Sequence, residues 1–347
     1  MALIQEYNKL YEQNSNIKKI YVNGNRVWPI KFIGYSEPFY VENITNSTET
    51  LSIKKSNSSA PTVTVEYSTN GNLWRTLGST STTALTKPIP AGTKLYLKAS
   101  ASSWGNTSTA SSRNSITGVS KVGGNIMSLL WGDDFVGKTT FPSSVTNIFS
   151  YLFRENTNLT TAESLLLPAT TLKNACYSGL FTNCSSLMYG PKELPATTMI
   201  TSCYRGMFEG CRSLVKCPPL PAMTLAETCY RNMFVNCSSL TNPPSLPATT
   251  LATGCYQIMF RYCTSLETAP DLEASTLVTD CYKGMFDGCT SLNSVKCLAE
   301  NNLDSSGPLY IWLQNVAANG TFTKSANATT WSTGSSGIPT DWTVIDV

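Results

Sequence analysis

Hydrophobic and polar positions along this chain follow three successive patterns. At the start, Ile4, Tyr7, Leu10 and Tyr11 recur at helical spacing, which predicts a short amphipathic helix over about residues 2–13. Two β-like runs, IKKIYV and NRVWPI, then flank Asn23-Gly24. An Asn-Gly pair between apolar runs is a strong hairpin signal, because the tight turn needs positive φ at both central residues. From 31 to about 120 the runs FYVENI, TLSIKK, TVTVEYS, LWRTL and KLYLKAS alternate apolar and polar positions. Turn clusters at Asn70-Gly71 and Pro90-Ala91-Gly92 separate them. Short half-buried strands at such spacing predict a β-sandwich of immunoglobulin-like type. No cysteine falls in this segment, so the sandwich has no disulfide between its sheets.

From about 140 the pattern becomes a repeat. The first cysteine of each unit is Cys176, Cys203, Cys229, Cys255 or Cys281, at spacings of 27, 26, 26 and 26. A second cysteine follows eight residues later, at Cys184, Cys211, Cys237, Cys263 and Cys289. Phe181, Phe208, Phe234, Phe260 and Phe286 keep the same register, as do Leu187, Leu214, Leu240, Leu266 and Leu292. A degenerate earlier unit has Phe153 and Leu159 in register, with Asn156 in place of the second cysteine, giving about six coils.

Within one unit, residues 240–246 read as extended, because Pro243 and Pro244 bar a helix. CYQIMFRYC then places Cys255, Met259 and Cys263 at i, i+4 and i+8, on one face of a predicted helix of about two turns. Asn183, Gly210, Asn236, Tyr262 and Gly288 precede the second cysteines, and Gly or Asn there suits a left-handed helix end. A strand and a short helix per coil is the leucine-rich-repeat solution. A lone coil buries too little apolar surface to offset the entropy of ordering it, so coils must stack. The expected fold is therefore multidomain and β-rich with an α/β solenoid. Residues 1–30 form an anchoring helix and hairpin and 31–122 the sandwich. Residues 123–297 form the solenoid, and 298–347 a cap whose Trp312, Trp331 and Trp342 cover the last coil.

Composition narrows the chemistry. The chain of 347 residues carries 25 basic and 22 acidic side chains, a balance of +3 that gives no nucleic-acid footprint. It has no histidine, which removes Ser-His-Asp triads, Cys-His pairs and HExxH zinc sites. The opening residues lack the apolar core of a secretory signal, and apolar runs such as 126–131 are too short to span a bilayer.

The unit LPATTLxxxCYxxMFxxCxSL resembles the BspA-like leucine-rich repeats of surface and phage-encoded proteins of gut Bacteroidales. The closing LYIWLQNVAANGTFTK and WSTGSSGIPTDWTV resemble the cap those proteins share, and GGNIMSLLWGDDF resembles the junction before their first repeat. The resemblance covers roughly residues 120–347 and the sandwich only weakly. It implies adhesion or surface recognition and carries no catalytic residues.

Twelve cysteines invite three readings. Paired zinc ligands usually stand two to four residues apart, so a seven-residue gap argues against metal. A disulfide ladder between coils is disfavoured, because stacked side chains point in parallel and hold their Cβ atoms too far apart. That leaves small buried hydrophobes on the inner face, with Met207, Met233, Met259 and Met285 filling gaps beside them. Cys217 and Cys297 lie outside the ladder and are the candidates for a reactive or bridging thiol. Two residues after each first cysteine come Ser178, Arg205, Arg231, Gln257 and Lys283, which stacking would align as a polar, mildly basic stripe. It is either a solvated face or a contact for an anionic glycan or partner. Trp74 reads as core, whereas Trp104, in the loop-like ASSWGNTS, is a candidate sugar-stacking residue. Glu209, Asp271, Asp280 and Asp287 are scattered and form no recurring acid pair of the kind a glycosidase needs.

The sequence thus predicts a non-enzymatic, fibre-like phage virion protein without cofactor or metal. Ile4, Tyr7, Leu10, Tyr11 and Trp28 would anchor it to other virion proteins. Arg205, Arg231, Gln257, Lys283 and Trp104 would meet a host-surface glycan or protein. A homo-oligomer is compatible with this reading; membrane insertion and nucleic-acid binding are not expected. The alternative is a BspA-like adhesin on the bacterial surface.

Overall fold

The computed structural model describes residues 36–105, 112–142 and 145–347, together with the backbone pairing of Ile20–Val22 (β1) with Asn25–Val27 (β2). Among the described residues the regular structure is mostly β-strand with very few helices, in several small sheets, none of them closed. β1 and β2 pair antiparallel with Val22 opposite Asn25, the two-residue connection that Asn23-Gly24 predicts. The expected helix over residues 2–13, with Ile4, Tyr7, Leu10 and Tyr11, lies outside the described residues, as does Trp28.

The next strands are β3 (Tyr40–Glu42), β4 (Glu49–Lys55), β5 (Thr64–Ser68), β6 (Arg75–Ser79), β7 (Leu85–Ile89), β8 (Lys94–Ala99), β9 (Asn114–Thr117) and β10 (Lys121–Asn125). With β11 (Thr161–Leu166), a six-stranded sheet runs β11-β10-β3-β8-β5-β6, and a three-stranded one runs β7-β4-β9. Alternation decides which side chains face inward: Leu51 and Ile53 on β4, Val65 on β5 and Leu95 and Leu97 on β8 are all buried. β7 left no clear signal in the sequence because Pro88 sits within it, which an edge strand tolerates.

β10 joins the two halves of the molecule. It pairs antiparallel with β3 and parallel with β11 (Thr161–Leu166), so one sheet runs across position 123 into the repeats. A short helix, α1 (Ser128–Trp131), and a 3₁₀ turn, Gly132–Asp134, follow β10. At the second-cysteine position of the degenerate unit, Asn156 accepts the Gly118 N–H at 3.1 Å and donates to the Val119 carbonyl at 3.2 Å. A thiol offers only a weak donor and a weak acceptor on a single atom, whereas the amide supplies a strong one of each on two atoms, which accounts for the substitution at this one boundary. The rings of Phe39 and Phe153 stack across the same junction at 5.8 Å.

Successive repeats stack, and each is tied to the next through its backbone. The predicted two-turn helix is absent from all of them. In residues 255–263 the N–H groups alternate between two destinations instead. Those of Cys255, Gln257, Met259, Arg261 and Cys263 bond back three residues, at 3.0–3.5 Å. Those of Tyr256, Ile258, Phe260 and Tyr262 reach carbonyls 25 residues ahead, at 2.9–3.1 Å. Every N–H of the segment is thereby satisfied, four of the nine laterally. The left-handed residues recur every fourth position, at Gly254, Ile258 and Tyr262 and again at Asp280, Gly284 and Gly288. The residue before the second cysteine is left-handed as expected, but as one of three such positions rather than a helix end. Spacing forbids the helix. The Phe234, Phe260 and Phe286 rings follow one another at 5.4 and 5.6 Å, while a helix with side chains is about 10 Å across.

Two aromatic columns run through the core. One passes from Phe149 through Tyr177, Tyr204, Tyr230 and Tyr256 to Tyr282, with centroids 5.8–6.1 Å apart. The other carries Phe153, Phe181, Phe208, Phe234, Phe260 and Phe286. The fully buried Trp312 closes both, lying 6.2 Å from Tyr282 and 6.4 Å from Phe286, with Trp331 stacked on its outer side at 5.8 Å. The ladder itself does not stop at 298. Gly284, Phe286 and Gly288 donate to Tyr310, Trp312 and Gln314, and β12 (Ser294–Cys297) continues in parallel into β13 (Thr321–Lys324) and β14 (Thr343–Asp346). The last segment is therefore further stacked turns with tryptophan in the core positions.

Candidate functional site

The cysteines are packing groups. All twelve are free, and eleven are buried. The second cysteine of each unit points its thiol at a phenylalanine carbonyl of the preceding unit: Cys184 at Phe153, Cys211 at Phe181, Cys237 at Phe208, Cys263 at Phe234 and Cys289 at Phe260, at 2.9–3.2 Å. A thiol is small enough for the interior and still offers a weak donor. Burial pushes the thiols of Cys203, Cys255, Cys281 and Cys289 up to about 12, so none supplies thiolate near neutral pH. The same holds for both cysteines outside the ladder: Cys297 is fully buried in β12, and the half-buried Cys217 is also raised to about 12. Met207, Met233, Met259 and Met285 are fully buried beside them. Among the described residues no three of Cys, Asp or Glu gather as a metal site.

The stripe that follows the first cysteines is in register. The carbonyls of Arg205, Arg231, Gln257 and Lys283 accept the N–H groups of Gly179, Gly206, Asn232 and Ile258 at 2.8–3.0 Å, each from the unit before. Their side chains differ in exposure. Arg205 is exposed, Arg231 and Lys283 are half-buried, and Gln257 is buried at 8%. Ser178 is buried too, its hydroxyl donating to the Arg205 carbonyl at 3.1 Å. The expected continuous stripe thus narrows to Arg205 and Arg231. Neither has a carboxylate within ion-pair distance among the described residues, and the Arg231 Nε is buried without a hydrogen-bond partner. Burial, and then the Arg205 charge, lower the pKa of Arg231, while Asp280 opposes them. Two neighbouring guanidiniums that raise each other's potential attract a multivalent or forked anion. Lys283 is less available: it lies 3.5 Å from Asp280 and 5.6 Å from the centre of the exposed Tyr310 ring.

Trp104 is not a surface platform. It is 1% exposed, and its Nε1 donates to the Leu129 carbonyl at 2.9 Å. Its polar neighbours in sequence hid this, because the covering groups come from α1 and from the Ile148 region. Trp74 is half-buried under the Lys98 ammonium, 4.4 Å from its ring centre.

The acidic residues serve ion pairs: Asp287 with Arg261 at 2.8 Å, Asp280 with Lys283, and Asp271 with Lys296 at 2.6 Å. A groove of about 730 Å³, lined by Asn242, Pro243, Pro244, Glu267, Pro270 and Asp271, crosses adjacent units on the extended side. Its only sequence signal was the proline pair, which marked extended backbone. Among the described residues no helix is long and apolar enough to cross a membrane. No protein-family model, curated protein or solved structure matches this chain.

Proposed function

We propose that this chain is a non-enzymatic, fibre-like virion protein that recognises a host surface. In this reading the two-sheet unit is an immunoglobulin-like β-sandwich. The stacked units form a BspA-type leucine-rich solenoid without its helices, and the tryptophan-rich segment is its cap. The N-terminal hairpin docks on other virion proteins, and the outer turn face meets the host. The observation that carries the reading is the Arg205–Arg231 pair, held open on a rigid ladder and left without a carboxylate among the described residues. A long backbone-tied stack holds such a pair at fixed spacing, which suits a repetitive anionic surface polymer.

Two variants test this on purified particles and host cells. Removing residues 1–30 should abolish incorporation while the freed protein still binds cells. Arg205→Glu with Arg231→Glu should weaken cell binding at least tenfold without changing the melting temperature. Normal incorporation of the truncated chain, or unchanged binding by the double variant, would overturn the proposal. Finding the chain on uninfected cells would replace it with the adhesin reading.

A further inference from the structure

The two-sheet unit carries a site of its own. A groove of about 650 Å³ opens between β7 and the start of β8, bordered by the turn that follows β5. That volume suits a small ligand. Asn70, Lys87, Pro88, Pro90, Thr93 and Tyr96 line it.

Charge in the groove is one-sided. The Lys87 ammonium lies 4.3 Å from the centre of the Tyr67 ring and has no carboxylate within ion-pair distance among the described residues. On β6, Arg75 stands opposite Tyr67 in the pairing and has no acidic partner within ion-pair distance among the described residues. Together they draw the Tyr67 phenol below its ordinary pKa, the hydrogen bond from Lys87 contributing most. The second lysine of the wall, Lys94, is already committed, 2.9 Å from Glu37 and 3.7 Å from the centre of the Tyr40 ring. The Tyr96 hydroxyl also belongs to Glu37, at 3.4 Å.

A second donor is fixed in place. Asn70 uses its Oδ1 to cap its own turn, accepting from the Ser68 hydroxyl and from the N–H groups of Asn72 and Leu73 at 2.9–3.0 Å. Its Nδ2 keeps both hydrogens unspent among the described residues. Pro88 and Pro90 are exposed and add flat apolar walls that donate nothing.

We propose that this groove binds a carboxylate-bearing sugar, with the carboxylate on Lys87 Nζ and Asn70 Nδ2 and the C–H face of the ring against Pro88 and Pro90. One ammonium and one amide match a carboxylate, whereas a phosphate site would call for a guanidinium fork or a nest of backbone N–H groups. The two-sheet unit is then a recognition module in its own right, whatever particle or cell carries it.

Saturation-transfer NMR and calorimetry on the full chain test the site with methyl glucuronide, methyl N-acetylneuraminide and, as the neutral control, methyl glucoside. At least one carboxylated glycoside should bind, and the glucoside should not. Lys87→Gln should weaken that binding at least tenfold and Asn70→Ala several-fold, with melting temperatures unchanged. Lys54→Gln, an equal loss of charge on β4 outside the groove, should have no effect. Absence of binding by both carboxylated glycosides, equal binding of the glucoside, or an unchanged affinity in Lys87→Gln would overturn the proposal. The readout uses free glycosides and purified protein, so it fails or succeeds independently of the virion reading.

Discussion

At the residue scale, the cysteines set how the protein responds to alkali. The unfolded chain releases thiol protons near their ordinary value of 9.0, while the folded chain holds those of Cys203, Cys255, Cys281, Cys289 and Cys297 until about 12. A folded pKa above the unfolded one stabilises the fold fully below the unfolded value, and that contribution is lost as pH rises toward the folded one. Each tenfold difference in proton affinity between the two states corresponds to about 1.4 kcal/mol per thiol, and the ladder repeats the thiol many times. Thermal melts should therefore be insensitive to these groups up to about pH 8 and fall steeply from about pH 9. A melting temperature that stays flat to pH 11, or rapid alkylation of the native protein at pH 8, would refute the role assigned to the thiols. The inward direction of these side chains was legible because it recurs with the repeat. Trp104 and Gln257 were not legible, since distant segments and stacked neighbours bury them, and no local pattern encodes either.

At the scale of the element, nine residues are too few to distinguish a helix from a ladder of four-residue turns by hydrophobic spacing. Cys255, Met259 and Cys263 lie four apart and face inward in both. The signal that separates them is the left-handed residue at every fourth position, and the sequence advertises it only partly. Gly284 and Gly288 announce it, whereas Ile258 and Tyr262 hide it. Ile258 adopts φ 58°, which a β-branched residue accepts only under strain. Asn232 holds the same register one unit earlier at φ 61°. Ile258→Asn should therefore stabilise the protein, by up to about 1 kcal/mol. Gly288→Ala should do the reverse. Its φ is 77° and an added Cβ would lie 2.2 Å from the Tyr262 ring, so a loss of about 1–3 kcal/mol is expected. Denaturant midpoints of the two variants check this pair. Gly284→Ala separates the ladder from a helix: Gly284 has φ 60° here and should lose stability on substitution, whereas alanine at that mid-segment position would stabilise a helix.

At the scale of the whole molecule, the sheet that crosses position 123 determines how the chain unfolds. Between about 120 and 140 the sequence changes texture from alternation to repeat, and a texture change reads naturally as a domain boundary. The backbone is continuous instead: β3, β10 and β11 pair in one sheet, Thr161 bridges to Tyr189, and Tyr189 to Lys216. Side chains reinforce the joint through Asn156 and the Phe39–Phe153 stack. In a linear stack, cooperativity between neighbours depends on the free energy of each interface relative to the stability of the units on either side. With a sheet and an aromatic column shared across the joint, the two-sheet unit and the repeats should melt in a single calorimetric transition. Asn156→Ala leaves the Gly118 N–H and the Val119 carbonyl without this partner and should cost about 1–3 kcal/mol at that one interface. If the joint couples the halves, the variant should split the transition in two or broaden it visibly, while the same loss placed inside the repeats only lowers its midpoint. Two transitions in the unmodified protein would show that the shared sheet does not couple the halves, and the two-sheet unit would then move independently of the ladder that carries Arg205 and Arg231.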